Sequence, residues 1–386
     1  MPGVHKGWGT QSEETGWRIG PRALSWPVFT FDPQWRPMEV RTYDGTAEEL
    51  SRFVISVWRD AYVGKMAFPL WTPEYLAWQL DLAAPEAREH LLGAWCEGEL
   101  AGVLLGWSFP YRQGEQRHPA ILSSWLSVRP EFRGRGVVKA LKIEQDSRMR
   151  ARGDGLIFAY RYFGSEHSLS KGPTREQLDS GGWESRRSGF WVRILSTVRA
   201  SRWYLNRWQR RLTIVGAPFT RSPRAARDRD GIRPWEPRDV GASVSVLEAR
   251  RRLASSIAWD EKSLSKHCSG FGRCLVAEVD GVVRGLVTWH VLQFVGATEE
   301  PVAIFDIIAT EGLPDATQRA LLDAALHEIK SQGAVLALKL RTGDVRALAM
   351  IRTGFIPWFS DSFETVHSVS GTLSPMLDHP HHVLWR

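Results

Sequence analysis

A glycine-spaced turn follows an apolar, strand-like run in the first half of this 386-residue chain. The run at 121–128 ends before Pro130. The turn Arg133-Gly134-Arg135-Gly136 follows, and helix-compatible sequence then continues as far as Arg152. Glycines at the start of a helix let the backbone approach a ligand closely. The first N–H groups of a helix lack intrahelical partners and carry the positive end of its dipole. The spacing therefore predicts an anion site of a size suited to a pyrophosphate.

Two common phosphate sites do not match this turn. A nucleoside-triphosphate loop requires G-x-x-x-x-G-K-[ST]. A dinucleotide fold requires G-x-G-x-x-G, with an acidic residue roughly twenty positions later. Neither pattern is present at Arg133–Gly136. The alternative to an anion site is an arginine-rich surface loop that caps an ordinary helix and binds no ligand.

The stretch resembles motif A of the GNAT superfamily of acyl-CoA-dependent N-acyltransferases, [RQ]-x-x-G-x-[GA] preceded by V-x-P. The matching residues are Val128-Arg129-Pro130 and Arg133-x-x-Gly136, whereas Val138 stands where the family has Gly or Ala. The resemblance implies acetyl-CoA, or another acyl-CoA, as co-substrate and no metal. It also implies that CoA contacts Leu126, Ser127, Val128, Arg133, Gly134, Arg135, Gly136, Val137 and Val138.

Transfer to an amine also requires proton movement, because a protonated amine must lose a proton and the thiolate leaving group can gain one. Some relatives place a glutamate in the motif strand, but this chain has serines there. The candidates for a catalytic acid or base are instead Tyr160 and Tyr162, at the end of the next predicted strand, and His167 shortly after them. Each of the three could equally be a structural residue.

The positive charge is concentrated in two segments. The chain has a formal net charge of +7; Arg129–Arg152 has a net charge of +5 and Arg199–Arg233 of +8, so the remainder is net acidic. This distribution suits a polyanionic cofactor at least as well as a nucleic acid, and we do not expect nucleic acid as the partner.

The second basic segment lies in a Trp- and Arg-rich insertion at 161–231. Tyr204, Leu205, Trp208 and Leu212 fall on one stripe of a helix predicted near Arg199–Val215. This stripe could form an aromatic lid over an apolar acceptor or a dock for an acidic carrier protein. The favoured interpretation is a covering helix whose arginines lie over apolar surface.

A weak internal repeat indicates a tandem architecture. Shifting the chain by 183 residues aligns Glu97-Gly98 with Asp280-Gly281, and the motif strand with the apolar run at 305–310. The fold class is therefore α/β (α+β): two tandem GNAT-like domains, each with a mixed, mostly antiparallel sheet flanked by helices. The expected boundaries are a poorly ordered extension at 1–37, a first domain at 38–231, a degenerate second domain at 232–370 and a tail at 371–386.

The second domain is predicted to lack a CoA site. Its shifted motif reads Ala316-Thr-Gln-Arg319 and has no glycine-arginine turn. Met350 stands four residues before Gly354, where the family commonly has Tyr. We therefore expect this half to be structural. A helix is also predicted there at 242–258.

These features favour an N-acyltransferase, with acetyl as the expected group and a small-molecule or peptide amine as acceptor. The alternatives are a non-catalytic basic binding protein on a decayed acyltransferase fold, or an acyltransferase that uses an acyl-carrier protein. The three cysteines form no CxxC pair, and no apolar run reaches the length of a membrane span. We therefore expect cytoplasmic residence.

Overall fold

The computed structural model describes residues 38–153, 155–161, 182–216, 221–226, 231–250, 252–374 and 376–386. Within it, 38–386 forms one compact unit. The predicted extension at 1–37 and the candidate residues Tyr162 and His167 lie outside the described residues. The expected domain boundaries stay predictions.

The first half contains the elements that position the glycine turn. Helix α1 begins after Thr46, which forms a capping box with Glu49, and α2 begins after Thr72 with a proline in its first turn. The elements are β1 (Met38–Thr42), α1 (Ala47–Tyr62), β2 (Phe68–Pro69), α2 (Pro73–Leu80), β3 (Leu91–Cys96), β4 (Glu99–Gln113), β5 (Gln116–Val128), α3 (Val137–Ala151), β6 (Leu156–Arg161), β7 (Trp183–Ile194), α4 (Thr197–Trp203) and α5 (Arg207–Val215).

The second half repeats much of this order. Its elements are β8 (Ile232–Pro234), α6 (Val240–Glu248), β9 (Ser255–Ile257), α7 (Glu261–Ser269), β10 (Arg273–Val279), β11 (Val282–Val295), β12 (Glu299–Ala309), α8 (Asp315–Ser331), β13 (Leu336–Leu340), α9 (Ala347–Arg352), β14 (Ile356–Ser368) and β15 (His381–His382).

The two aligned hairpin turns have the same backbone conformation. Glu97 and Gly98 have φ of 55° and 83°, and Asp280 and Gly281 have φ of 53° and 74°. Positive φ at both central residues is the requirement of a type I′ turn, which matches the twist of antiparallel strands. The repeat inferred from sequence therefore corresponds to a repeated piece of structure, as the tandem fold class predicts.

One strand of each half has changed places in the sheet. The strand order is β1-β3-β4-β5-β6-β14-β7-β13-β12-β11-β10-β8. Strand β14 of the second half pairs with β6, and β7 of the first half pairs with β13. The two halves consequently share one sheet, and each borrows a strand from the other.

Two helix predictions were wrong in detail. The helix expected at 242–258 ends at Glu248, because Ser255–Ile257 instead forms β9, whose residues pair with β4. The Tyr111 hydroxyl and the Ser255 hydroxyl are hydrogen-bonded at 2.8 Å in this pairing. The helix expected near 199–215 is divided into α4 and α5, since Asn206 caps α5 by accepting the Trp208 N–H at 2.8 Å.

The segment expected as a tail packs inside the molecule. Trp385 lies between Phe190 and Phe294, at ring-centroid distances of 5.0 and 6.4 Å. Arg386 is 2% exposed, and its Nη1 donates to Asp306 Oδ1 at 2.5 Å. Its backbone carbonyl accepts from Ser124 Oγ at 2.8 Å, which links this segment to the motif strand.

We expect Asp306→Ala to lower the free energy of unfolding by about 3–5 kcal/mol, because it leaves the Arg386 charge buried without its carboxylate. The pKa of Asp306 is held well below its usual range by Arg386 and His290, which outweigh burial. Its stabilisation is therefore present above about pH 4 and lost as the pH falls. Urea unfolding measures both effects. The exposed pair of Asp315 with Arg352 is the control, and Asp315→Ala should change stability by less than about 1 kcal/mol.

Candidate active site

The glycine turn is open to solvent and has the backbone conformation that glycine favours. Gly134 and Gly136 have φ of 78° and 80°, and Gly136 is the N-cap residue of α3. A Cβ placed on Gly134 would meet no atom within 4 Å, and the first turn of α3 contains no acidic residue. The turn thus leaves room for an anion beside the first N–H groups of the helix.

A groove runs from this turn along α3. Its walls include Val128, Phe132 and Arg133 on one side and Val138, Lys139 and Lys142 on the helix. We call it the helix groove. Its arginine and lysines carry positive charge beside the turn, as a polyanionic ligand requires.

Strand β5 is distorted where it passes the groove. Trp125 has φ of 52°, which is rare for a bulky residue, and the register with β4 shifts between Val103 and Leu105. The parallel ladder between β5 and β6 spans only Ala120–Ser123 of β5. Beyond Ser123 the two strands separate, and the bulge redirects the backbone at Trp125 and Leu126.

The separated strands border a cleft of about 1030 Å³, including its open mouth, which we call the central cleft. Trp58, Tyr62 and Met66 form an apolar part of its wall. Lys142 and Asp146 of α3 line both this cleft and the helix groove. The two cavities are therefore neighbours, and together they connect the glycine turn with the split in the sheet.

Seven of the nine predicted CoA residues line these cavities. Leu126 borders the central cleft, whereas Val128, Arg133, Gly134, Gly136, Val137 and Val138 border the groove. The Ser127 side chain is instead buried, where it accepts from Trp58 Nε1 at 3.0 Å and donates to the Trp125 carbonyl. The Arg135 guanidinium lies 5.4 Å from the centre of the Phe132 ring. Their assignment as CoA contacts stays a prediction.

Tyr160 lines the central cleft and donates its hydroxyl proton to Glu364 Oε1 at 3.5 Å. Burial, reinforced by the Glu364 charge, raises the pKa of Tyr160 well above 10. Glu364 is in turn paired with His381 at 3.0 Å, and this carboxylate raises the pKa of His381 against the effect of burial. Tyr160 consequently keeps its proton throughout the physiological pH range.

The structure adds a histidine that sequence reasoning missed. His367 of β14 lines the central cleft, where its ring stacks on Trp183 at 4.3 Å and its Nδ1 lies 3.8 Å from Asp146 Oδ1. Burial lowers the pKa of His367 and raises that of Asp146. No sequence pattern could have indicated this pair, because it depends on the exchange of β14 into the first half.

A second cleft lies on the side of the sheet that α2 covers. Trp78, Trp107 and Trp259 line this cavity of about 900 Å³, which we call the tryptophan cleft, together with Asp81 and Asp260. The guanidinium of Arg386 lies 5.6 Å from the centre of the Trp78 ring. Because the Arg386 carbonyl also accepts from Ser124 of the central cleft, this residue lies between the two clefts.

The equivalent turn of the second half differs from the first. Helix α8 begins with Asp315 after the N-cap residue Pro314, so an acidic side chain stands where an anion would bind. A Cβ on Gly312 would meet the Arg284 carbonyl at 3.2 Å. Neither the charge nor the backbone favours a phosphate here.

We therefore expect one CoA per chain in calorimetric titration of the wild-type protein. The physical reason is that, among the described residues, only the first half combines an open glycine turn with adjacent cations. Lys139→Gln should weaken this single site, and Arg319→Gln, the control in the second half, should leave it unchanged. Two sites of similar affinity would contradict the expectation.

Comparison with known proteins confirms the resemblance. Residues 44–163 match the family model of the acetyltransferase (GNAT) domain. This chain contains a GNAT domain. The domain spans α1 to β6 and so includes the glycine turn, the bulge and the split between β5 and β6. The acyl-CoA co-substrate predicted from the motif follows from this assignment.

The fold extends the likeness beyond the GNAT domain. N-myristoyltransferase of Saccharomyces cerevisiae with bound myristoyl-CoA superposes with a TM-score of 0.68 at 12% identity, over 87% of this chain and 83% of that one. A probable N-acyltransferase of Enterococcus faecalis V583 has a TM-score of 0.47 at 12% identity, over 85% and 72% of the two chains. No curated protein matches the sequence.

None of the helices among the described residues is long and apolar enough to cross a membrane. Among the same residues, no group of three or more His, Cys, Asp or Glu side chains is placed to hold a metal ion.

Proposed function

We propose that this protein is an N-acyltransferase that moves an acyl group from acyl-CoA to a primary amine in its first half. The observation that carries the proposal is the continuity of the open turn at Gly134–Gly136 with the helix groove and the central cleft. A molecule with a pyrophosphate at one end and a thioester at the other, joined by a narrow arm, fits this path.

The chain's own groups divide the binding work. The first N–H groups of α3 and the charges of Arg133 and Lys139 hold the pyrophosphate. The pantetheine arm lies along β5 after Ser123, where the ladder to β6 has ended, and takes the place of the missing strand neighbour. Such an arm gains hydrogen bonds from backbone groups at Leu126 and Val128.

The bulge positions the reacting carbonyl. As the amine attacks, the thioester oxygen gains negative charge, and a fixed backbone N–H directed at that oxygen stabilises it more than it stabilises the ground state. The Trp125–Leu126 segment is held by the Trp58–Ser127 hydrogen bond and by burial of Trp125, so its backbone needs little reorganisation. Holding the amine and thioester together adds an orientation effect.

Tyr160 supplies a proton to the leaving thiolate. Its raised pKa keeps the hydroxyl protonated, and it lines the same cleft as Ser123 to Leu126. The hydroxyl proton turns from Glu364 to the sulfur as the C–S bond breaks, and the proton that the attacking amine loses restores the hydroxyl. Tyr162 and His167, which follow Tyr160 in sequence, stay predicted catalytic residues of this site.

The expected donor is acetyl-CoA. Apolar walls at Trp58, Tyr62, Met66 and Leu104 and the volume of about 1030 Å³ also admit longer acyl chains. These donors are distinguished by comparing acetyl-CoA with CoA thioesters of increasing chain length. The release of free thiol measures the rate with each donor. Acyl transfer would be contradicted if none of these donors gave thiol release that depends on the amine.

The acceptor enters through the tryptophan cleft. Three indole rings suit an amine with an apolar or aromatic body and can also face its positive charge. The Asp81 carboxylate is already paired with Lys266, and Asp260 caps α7, so the indoles carry this assignment. Arg386 and Ser124 separate this cleft from the central cleft, so the amine must pass these two residues to reach the thioester.

Trp107→Ala should therefore raise the acceptor KM by about tenfold, as expected for a lost aromatic contact. Trp107 is only partly buried, so the fold should tolerate the change. The KM for acyl-CoA should stay constant. Trp95→Ala, which removes another partly buried indole on the neighbouring strand, is the control. Equal effects of both variants on the acceptor KM would contradict the assignment of this cleft.

A further inference from the structure

Helix α5 exposes an apolar stripe to solvent. Trp208, Leu212 and Val215 follow the i, i+4, i+7 spacing of one helical face and are 70%, 56% and 71% exposed. Thr213, on the opposite side, is 3% exposed and faces the protein. The prediction of a covering helix is therefore wrong for α5, since its apolar stripe points away from the core.

The surrounding chain carries only positive charge. Residues 185–227 contain eleven arginines and no aspartate or glutamate. On α5 itself, Arg207, Arg210 and Arg211 accompany the apolar stripe, and the Arg211 guanidinium lies 5.7 Å from the centre of the Trp208 ring. Exposed apolar side chains and arginines thus occupy the same helix.

The preceding helix α4 fastens α5 to the protein. Trp203 is 6% exposed and donates its Nε1 proton to the Phe294 carbonyl at 3.2 Å, while Tyr204 stacks on Trp358 at 6.3 Å. Arg199 forms an ion pair with Glu300 and donates to the Gly333 carbonyl at 2.9 Å. With α4 anchored in this way, α5 is presented as a fixed element.

We propose that α5 and its flanking arginines bind the surface of an anionic lipid bilayer. A helix with Trp and aliphatic residues on one stripe and arginines beside it lies in the interfacial plane, with the apolar stripe among the acyl chains and the guanidinium groups at the phosphates. A nucleic acid would use the arginines but would leave Leu212 and Val215 without a partner. The combination therefore favours lipid.

Helix α4, which anchors α5, is connected to the wall of the central cleft through aromatic and strand contacts. Trp203 packs on Phe294, whose neighbour Val295 pairs with Phe68 of β2. Phe68 in turn packs on Trp58 and Tyr62, at 6.0 and 6.4 Å, and both line the cleft. Bilayer binding would bring that wall near amphiphilic substrates, but the proposal does not rest on acyl transfer.

The test is flotation of the full chain with vesicles of phosphatidylcholine alone or with about 30 mol% phosphatidylglycerol, at low and high salt. Wild-type protein is expected to float with the anionic vesicles and to bind less at high salt. The double substitution Trp208→Ser and Leu212→Ser should reduce this binding by roughly tenfold or more, since both side chains are already exposed and folding does not require them.

The matched control is Leu348→Ser with Ile351→Ser, which removes two exposed apolar side chains from α9 and should leave binding unchanged. A third variant, Arg207→Gln with Arg211→Gln, should lose binding to anionic vesicles. Lack of wild-type flotation would overturn the proposal. It would also be overturned if the arginine variant alone lost binding while the Trp208 and Leu212 variant kept it. Purely ionic contact of that kind, together with salt-dependent binding to duplex DNA, would instead indicate nucleic acid.

Discussion

Replacing Gly136 by Asp is expected to lower the affinity for CoA by roughly tenfold or more. The substitution puts a Cβ on a residue with φ of 80° and a carboxylate at the mouth of α3, where the helix dipole and nearby cations otherwise favour a phosphate. Isothermal calorimetry with CoA measures the change directly. Turnover should fall with it at acyl-CoA concentrations near the wild-type KM.

The control for Gly136→Asp is Gly98→Asp in the hairpin turn between β3 and β4. Gly98 has φ of 83°, and a Cβ there would meet nothing within 4 Å, so this variant carries a similar backbone strain and the same added charge. It should bind CoA like the wild type. If Gly136→Asp also keeps wild-type affinity, CoA does not bind at this turn.

The second large effect is expected from Tyr160→Phe, which should lower turnover by about ten- to a hundredfold and leave CoA affinity nearly unchanged. Loss of the hydroxyl removes the proton donor without altering the ring that lines the cleft. Because the pKa of Tyr160 is raised above 10, its protonated form persists through neutral and mildly alkaline pH. A decline of wild-type activity below pH 9 should therefore arise from another group.

Tyr111→Phe is the matched control for Tyr160→Phe. Tyr111 is also a buried tyrosine, and its hydroxyl bonds Ser255 on β9 rather than lining the central cleft. This variant should lose some stability and keep its turnover per folded molecule. Wild-type turnover of Tyr160→Phe across the pH range would contradict the acid role and leave Tyr160 as a packing residue.

Local sequence determined the features that depend on neighbours along the chain. In each case a few residues with matching backbone preferences are sufficient. The examples are the capped helix α1, the type I′ turns at Glu97-Gly98 and Asp280-Gly281, and the strand–turn–helix around Gly136. For the same reason, the candidate phosphate turn at Gly134–Gly136 and the GNAT resemblance were accessible from spacing alone. The repeat was visible because its turns kept the same chemistry.

Local preference was insufficient where a distant partner decided the outcome. Part of the helix-compatible sequence after Glu248 forms β9 because it pairs with β4. The bulge of the motif strand at Trp125 likewise depends on the register of that strand with β4. Neither pairing can be predicted from a single sequence. The exposure of Trp208 similarly depends on which side of α5 meets the protein, and helical spacing cannot tell that.

The composition of the cleft itself was decided only by tertiary structure. Because β14 of the second half pairs with β6 of the first, Glu364 and His367 reach a site more than 200 residues away from them along the chain. The buried segment ending at Arg386 reaches Ser124 in the same way. The sequence by itself predicted where phosphate and thioester chemistry would be centred. The exchange of strands, which buries two open sheet edges by joining them, decided which side chains surround that chemistry.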